Sequence, residues 1–164
     1  MTSNHTFSPI KSALVTGATG LLGNNLVRLL VSRGVRVKAL VRSREKAEQQ
    51  LASLPVEIVA GEMTNVRGFA KELNGMDVIF HAAAYFRDNY KGGKHWKQLF
   101  AANVLGTAHL FSEANKAGVR RIVHTSSVAV LSAAPGKTID ETMRRKPGGG
   151  GRLLPQQDSC GPQS

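Results

Sequence analysis

The feature that most constrains the fold is a glycine-rich turn that follows a short apolar run. The sequence ALVTGATGLLG, which begins at residue 13, places Gly17, Gly20 and Gly23 three residues apart. Leucines then recur at helical spacing, at positions 22, 26, 29 and 30, until the next glycine. A short apolar run that ends at glycine is typical of a buried parallel strand, and the leucine spacing predicts a helix. This segment is therefore expected to fold as strand, tight turn and helix.

The same pattern of strand and helix repeats along the chain. Apolar runs predict four more strands, at residues 35–41, 56–60, 77–83 and 120–126. Helical spacing predicts helices at residues 44–54 and 66–73 and a long helix that ends at Gly118. The apolar face of this last helix is expected to be formed by Phe100, Val104, Phe111 and Ala114. Because alternating strands and helices form right-handed crossovers, the sequence predicts an α/β fold with a doubly wound parallel sheet of about five strands.

The repeat divides the chain into three parts. Residues 12–134 are predicted to form one α/β domain, and residues 1–11 an N-terminal extension. Residues 135–164 show no hydrophobic period and contain four consecutive glycines, so an irregular tail is expected there.

Composition and charge exclude several classes of function. No run approaches the roughly 20 apolar residues of a membrane span, and MTSNHTFSPIKS lacks the apolar core of a signal peptide, so a cytoplasmic protein without a membrane partner is expected. The single cysteine, Cys160, and five scattered histidines predict no disulfide and no metal site. The net charge of +11 is spread along the chain without an aromatic-interleaved basic run, which makes nucleic acid an unfavoured partner.

The glycine turn lies where parallel sheets bind nucleotides. Ligands of such sheets sit beyond the carboxyl ends of the strands, where glycine lets the backbone approach a pyrophosphate that faces the helix N-terminus. The spacing here is G-x-x-G-x-x-G, between the first strand and the first helix, which is the context that the motif requires. The sequence predicts a dinucleotide site made of Gly17, Thr19, Gly20, Leu21, Leu22 and Gly23.

The end of the second predicted strand indicates which dinucleotide is preferred. An NAD site usually has an acidic residue there, which binds the adenosine ribose. This chain has VRSREK instead, with Arg42, Arg44 and Lys46 and no acid before Glu45. A guanidinium suits a 2′-phosphate, so Arg42 and Lys46 are predicted to favour NADP, with NAD as the alternative.

Two further motifs follow the glycine turn in order. GEMT, residues 61–64, contains Glu62 and Met63, and HAAA, residues 81–84, closes the fourth predicted strand. With TGATGLLG, these segments resemble the extended short-chain dehydrogenase/reductase family, which includes NAD-dependent epimerases and dehydratases and dihydroflavonol-type reductases. The resemblance implies that Glu62, in place of the usual aspartate, and Met63 hold the adenine. It also implies that Ala82, Ala83 and Ala84 lie beside the cofactor.

The resemblance covers about residues 13–141 and implies catalytic positions as well. Asn103, in NVLGT, matches the asparagine of the family's fourth helix, and HTSSVAV matches the segment that carries the catalytic hydroxyl. Ser127 is the first candidate for that hydroxyl and Ser126 the second, with Thr125 beside the cofactor. A hydroxyl there can hold a substrate oxygen near the nicotinamide. The histidines of the apolar strands, His81 and His124, are expected to be structural.

The family's Tyr-x-x-x-Lys pair is not found after Ser127. In the family, the tyrosine transfers a proton and the lysine lowers its pKa, and the spacing puts both on one helical face. YKGGK, residues 90–94, has the pattern but precedes the serine and carries two glycines where a helix is needed, so it is rejected. One allowed coding of residues 151–164, read with its first base omitted, gives ADYYRSKILADRS, which contains the pair. The tail is therefore expected to be frameshifted.

The resemblance implies a Rossmann-type domain without the family's C-terminal strands and substrate lobe. The expected function is that of a reductase or epimerase acting on a carbonyl, a hydroxyl or a nucleotide sugar, nearly inactive in this form. The oligomeric state is left open, with a homodimer as one possibility for the intact enzyme. A non-catalytic NADP(H)-binding module or redox sensor is the alternative. A basic nucleic-acid-binding protein is a third hypothesis, which lacks any base-reading element in the sequence.

Overall fold

The computed structural model describes residues 9–86, 95–134 and 136–144. Within these ranges there are five strands: β1 (Ser12–Thr16), β2 (Arg36–Val41), β3 (Val56–Ala60), β4 (Val78–His81) and β5 (Arg121–His124). The helices of the first four crossovers are α1 (Leu21–Ser32), α2 (Arg44–Leu51), a 3₁₀ helix (Met63–Leu73), α3 (Trp96–Leu99), a π-helical segment (Phe100–Leu105) and α4 (Gly106–Lys116). Among the residues described, none of the helices has the length and apolarity needed to cross a membrane.

The five strands form one sheet in the order β3-β2-β1-β4-β5. Every neighbouring pair is parallel, which confirms the predicted doubly wound α/β sheet. The chain moves outward from β1 through β2 to β3, then returns to the other side of β1 with β4. The direction of winding therefore changes between β1 and β4, and the carboxyl ends of these two strands border the crevice where such sheets bind ligands.

Two apolar layers cover the sheet. On one face, α1 and α2 bury Val27, Leu30 and Leu51 against the sheet. On the other face, the 3₁₀ helix and α4 bury Phe69 and Leu110. The central strands β1 and β4 are buried on both faces, which explains why their sequences are apolar without alternation.

The predicted apolar face of the last helix is largely wrong. Only Ala114 of the four expected residues is buried, whereas Phe100, Val104 and Phe111 are 39%, 45% and 38% exposed. The π-helical segment of residues 100–105 holds more residues per turn than an α-helix, so it shifts Phe100 and Val104 out of phase with Ala114. Phe111 lies beyond this segment, in α4, where its ring contacts that of His124. Beyond that segment the buried residues are Gly106, Leu110 and Ala114, at a regular spacing of four.

The amino ends of β1 and β4 are joined through the Asp77 carboxylate. Its Oδ2 accepts hydrogen bonds from the backbone N–H groups of Lys11 and Ser12, both at 2.9 Å. The Ser12 hydroxyl donates to the same oxygen at 3.1 Å. These donors, the Lys11 and Ser12 N–H groups foremost, lower the pKa of Asp77 below its ordinary value. The register between the two strands is thus fixed at the edge opposite the predicted site.

The chain divides into two compact units, residues 1–125 and residues 126–164. The described residues of the second unit include a short 3₁₀ helix, Val128–Val130, and one isolated antiparallel bridge between Leu131 and Arg144. The predicted domain limits at residues 12 and 134 stay predictions. YKGGK and residues 145–164 of the predicted tail lie outside the described residues.

Gly106 offers a test of how closely α4 packs against the 3₁₀ helix. A Cβ at this position would collide with the backbone carbonyl of Met63, which is held in the 3₁₀ helix and cannot turn away. Gly106→Ala is expected to lower the free energy of unfolding by about 1–3 kcal/mol, despite the better helix propensity of alanine. Urea unfolding followed by circular dichroism measures the change.

The matched control is Gly68→Ala, in the 3₁₀ helix. Its added Cβ would meet only the Asn65 side chain, at 3.0 Å, and a side chain can move. This variant is expected to unfold within about 0.5 kcal/mol of the parent protein. Equal stability of both variants would contradict the tight seating of α4 against the 3₁₀ helix.

Candidate functional site

A cleft of about 630 Å³ opens at the carboxyl edge of the sheet, beyond the ends of β1, β2, β3 and β4. Its floor is formed by strand ends and the turns that follow them. One side is formed by the start of the long helix, which consists of α3, the π-helical segment and α4 in succession. Ten of the predicted site residues line it: Gly17, Thr19, Gly20, Arg42, Lys46, Glu62, Met63, Ala82, Ala83 and Ala84. Residues that are distant in sequence are therefore brought together as the motifs predict.

Four predicted cofactor residues do not line this cleft. Leu21 is 88% exposed and contributes to a neighbouring polar cavity, and Leu22 is also exposed. Gly23 is buried, and a Cβ there would collide with the Gly17 carbonyl. Gly23 thus lets α1 pack closely on the turn, so its contribution to the site is structural. The Thr125 N–H donates a hydrogen bond to the His81 carbonyl at 3.0 Å.

The turn itself depends on Gly17. Its φ is +70°, in the left-handed region that favours glycine, and the Gly20 N–H donates to its carbonyl at 2.9 Å. A Cβ on Gly17 would lie 2.8 Å from the backbone nitrogen of Ala83. The turn after β1 and the segment after β4 are therefore in backbone contact, and only glycine permits that distance.

A buried hydrogen-bond network fixes the same junction. His81 Nδ1 lies 2.7 Å from the Thr16 hydroxyl, and its Nε2 lies 3.0 Å from the Thr107 hydroxyl. The Thr16 hydroxyl also accepts the N–H of Ala83, at 3.1 Å. The network ties β1, β4 and α4 to the cleft wall at Ala83, which supports the structural role predicted for His81.

His124 adds a second ring to the junction. It stacks on His81 with the ring centroids 4.9 Å apart, and the edge of Phe111 meets it at 5.9 Å. Burial, and then the proximity of His124, lower the pKa of His81 from 6.5 to about 4. His81 is therefore neutral at physiological pH, as a hydrogen-bonded residue between two threonine hydroxyls should be.

The cations after β2 take different positions. Arg42 and Lys46 line the cleft. Arg44, two residues away from each, points elsewhere, since its Nη2 donates to the Ile58 carbonyl at 3.3 Å. The Ser43 hydroxyl accepts the Lys46 N–H at 3.2 Å and caps α2, so the loop that carries Arg42 has a defined conformation.

Asn103 is committed to the backbone of Tyr85. Its Oδ1 accepts the Tyr85 N–H at 2.6 Å, and its Nδ2 donates to the Tyr85 carbonyl at 2.9 Å. The side chain lies in the π-helical segment, a type of distortion that is frequent at functional sites. With both amide atoms occupied, Asn103 positions the segment after Ala84, and its catalytic role stays a prediction.

Nine residues of the cleft lining were not predicted from the sequence. The missed residues are Leu40, Val41, Gly61, Thr64, Tyr85, Lys97, Gln98, Ala101 and Ala102. The first three follow from the parallel register, because adjacent strands end at the same edge of a sheet. The last four share one helical face, at a spacing that the neighbouring Asn103 could have indicated. The Tyr85 hydroxyl lies 2.9 Å from His95 Nδ1, a contact that no sequence signal predicts.

Ser126 and Ser127 open the second compact unit and are exposed. The Ser127 carbonyl accepts the Val130 N–H at 3.2 Å, which begins the short 3₁₀ helix. Their catalytic assignment stays a prediction. Among the described residues there is no group of three or more His, Cys, Asp or Glu side chains that could hold a metal ion.

The low pKa of His81 predicts acid sensitivity. The unfolded chain takes up a proton on His81 near pH 6.5, whereas the folded chain does so only near pH 4. The contribution to stability is therefore complete above pH 6.5 and is lost as the pH falls toward 4, by up to about 3 kcal/mol. Urea unfolding at a series of pH values, with His81→Gln expected to flatten the dependence, measures it.

His109→Gln is the control for this experiment, because His109 is exposed on the same helix that carries Thr107. It is expected to leave the pH dependence unchanged. An NMR titration in which the His81 ring protonates near pH 6.5 in the folded chain would show that the network does not hold it neutral.

Comparisons with known proteins agree with this architecture. Residues 13–149 match the NAD dependent epimerase/dehydratase family. The sterol demethylase protein B of Methylococcus capsulatus is 42% identical over 126 residues, 76% of this chain and 37% of that protein. A 3β-hydroxysteroid dehydrogenase/Δ5→4-isomerase of Mycobacterium tuberculosis is 38% identical over 124 residues, 72% of this chain and 32% of that protein.

A solved structure gives the same result. A short-chain dehydrogenase/reductase superfamily protein from Agrobacterium tumefaciens, with bound NAD, superposes with a TM-score of 0.62 at 28% identity, over 73% of this chain and 33% of that one. The chain thus spans well under half the length of these relatives. The match over residues 13–149, which carries the glycine turn and the cleft, shows that the chain belongs to the NAD-dependent epimerase/dehydratase family of nicotinamide-dinucleotide-dependent short-chain oxidoreductases.

Proposed function

We propose that this chain is the dinucleotide-binding part of an NADP-preferring short-chain reductase or epimerase. The observation that carries the proposal is the cleft at the β1–β4 junction, where the left-handed Gly17 turn meets the Ala82–Ala83 backbone. Such a turn leaves the N–H groups at the start of α1 open to a phosphate. Gly20, which has no side chain, leaves the approach to these groups clear. The substrate of the whole protein is a carbonyl, a hydroxyl or a nucleotide sugar.

The cleft has suitable residues for each part of a dinucleotide. The glycine turn would hold the pyrophosphate, and Glu62 and Met63 would hold the adenine. Ala82–Ala84, which carry short side chains, would leave room for the nicotinamide half. When bound, the nicotinamide supplies hydride transfer to or from a substrate carbon. The Agrobacterium tumefaciens relative has bound NAD, which supports a dinucleotide as the ligand of this fold.

The preference for NADP rests on charge. Arg42 and Lys46 border the cleft after β2, where an NAD-specific protein has a carboxylate that binds the ribose hydroxyls. Glu62 is the acidic residue of the lining, and it follows β3 instead. Two cations and no acid at the end of β2 favour a ligand with a phosphate at the ribose 2′ position.

Catalysis in this form is proposed to be weak. Ser127 is the candidate that orients the substrate oxygen, yet no Tyr-x-x-x-Lys pair follows it in the 164 residues. Hydride transfer to a carbonyl requires a proton for the oxygen, and loss of a general acid costs about 10²- to 10⁴-fold in rate. The alternative, a non-catalytic NADP(H)-binding module or redox sensor, is favoured by the same absence. The two proposals differ in whether a neighbouring reading frame of the coding DNA restores the pair.

Substitution of Arg42 tests the cofactor preference. Arg42→Gln is expected to weaken NADPH binding by about 10- to 100-fold, as for the loss of a charge-assisted hydrogen bond, and to leave NADH binding nearly unchanged. Isothermal titration calorimetry of the 164-residue chain with both nucleotides measures this.

Arg44→Gln is the matched control, because it removes the same charge two residues away, at the start of α2, from a side chain bonded to the Ile58 carbonyl. It is expected to change neither affinity by more than about threefold. If the parent chain binds NADH more tightly than NADPH, the proposed preference is wrong.

A repaired reading frame tests the proposed loss of catalysis. If the tail is frameshifted, deleting one base near the glycine codons 148–151 should give a longer product with YYRSK and NADPH-dependent turnover. The control is the same product with the restored tyrosine changed to phenylalanine, which is expected to bind NADPH and remain inactive. A coding sequence without an open neighbouring frame would favour the non-catalytic module.

A further inference from the structure

The wall of the cleft opposite the glycine turn is one face of the long helix. Lys97, Gln98, Ala101 and Ala102 line the cleft from this side. Positions 97 and 101, like 98 and 102, are one helical turn apart, so the four residues form one continuous face. Two of them are alanines, which bring the helix backbone close to any bound ligand. Lys97 is the cation on this wall.

This wall is anchored to the other lining segments at two points. Asn103 clamps the Tyr85 backbone with two hydrogen bonds, just beyond Ala84. Three residues later, Gly106 abuts the Met63 carbonyl without space for a Cβ. The backbone that carries Lys97 is thereby held against both the β4 and the β3 side of the cleft. The Lys97 side chain is exposed, but the backbone from which it extends is held in place.

The cations of the cleft have no carboxylate partner among the described residues. The ion pairs within 4.0 Å in that part of the chain involve Lys38, Lys71 and Lys116. Arg42, Lys46 and Lys97 belong to none of these pairs, and Glu62 is the acid of the lining. The lining thus carries an excess of two positive charges. An excess of this kind attracts a ligand with several negative charges.

The three cations approach the cleft from different layers. Arg42 follows β2 in the sheet, and Lys46 lies on α2, in the same layer as α1 and the glycine turn. Lys97 comes from the opposite layer, where the long helix packs with the 3₁₀ helix. A phosphate at the start of α1 would therefore have the glycine turn on one side and Lys97 on the other. Arg42 and Lys46 lie along the cleft, beyond β2.

We propose that Lys97 is a cofactor-binding residue that pairs with the pyrophosphate of the bound dinucleotide. Arg42 and Lys46 serve the 2′-phosphate, so the two groups of cations have separate tasks. Lys97 strengthens NADH and NADPH binding alike, whereas Arg42 and Lys46 set the choice between them. A lysine suits this place because its ammonium group is a compact charge with three donors. It can therefore pair with a pyrophosphate in several geometries. This inference rests on the proposed dinucleotide binding.

The test is calorimetric titration of Lys97→Gln with NADPH and with NADH. Both dissociation constants are expected to rise, by roughly fivefold each, with their ratio unchanged within about twofold. Lys97→Arg should restore most of the affinity, because it restores the charge. The salt dependence of NADH binding is expected to be weaker in Lys97→Gln than in the parent chain. Because the side chain is exposed, thermal unfolding of the variant should match that of the parent.

Lys116→Gln is the control, since Lys116 is paired with Glu113 outside the cleft. It should leave both affinities unchanged. Loss of NADPH affinity alone in Lys97→Gln would assign Lys97 to the 2′-phosphate and overturn the proposal, as would unchanged affinity for both nucleotides. Either result leaves the proposed function standing if the parent chain binds NADPH. A parent chain that binds neither nucleotide overturns both.

Discussion

The contact between the end of β1 and the end of β4 determines the rest of the site. Gly17 lies so close to the Ala82–Ala83 backbone that no other residue fits there, and the Thr16 hydroxyl holds the Ala83 N–H from the same side. The Asp77 carboxylate fixes the opposite ends of the same strands. The cleft opens at this junction, where the winding of the sheet reverses. His81 completes the junction by joining it to α4.

Much of this arrangement could be predicted because it depends on local patterns. The apolar runs predicted all five strands, and the glycine spacing placed the turn at the start of α1. The phase of the long helix could not be predicted, because the π-helical segment is stabilised by contacts such as that of Asn103 with Tyr85, eighteen residues away. An α-helical repeat carried through residues 100–105 placed Phe100 and Val104 on the same face as Ala114, whereas both are exposed.

In the site, too, residues that directly follow a strand could be predicted, whereas residues positioned by tertiary packing could not. Motifs identified the residues after β1, β3 and β4, since each follows its strand directly. Of the three cations after β2, Arg42 and Lys46 were predicted for the cofactor, and the hydrogen bond of Arg44 to the Ile58 carbonyl explains why that side chain points elsewhere. Lys97 was missed because its place in the cleft depends on how the long helix packs against the 3₁₀ helix. Residues from both helical layers therefore line the cleft. Its positive charge depends on how the two layers pack, and not on a single motif.

The most direct test of the account is an NMR titration of the ¹⁵N-labelled 164-residue chain with NADPH. The account predicts that the largest amide shifts fall on residues 17–22 and 82–85, on both sides of the β1–β4 junction, with smaller shifts at residues 97–102. Shifts confined to other surfaces, or no shifts at millimolar NADPH, would contradict the claim that this junction is a dinucleotide site.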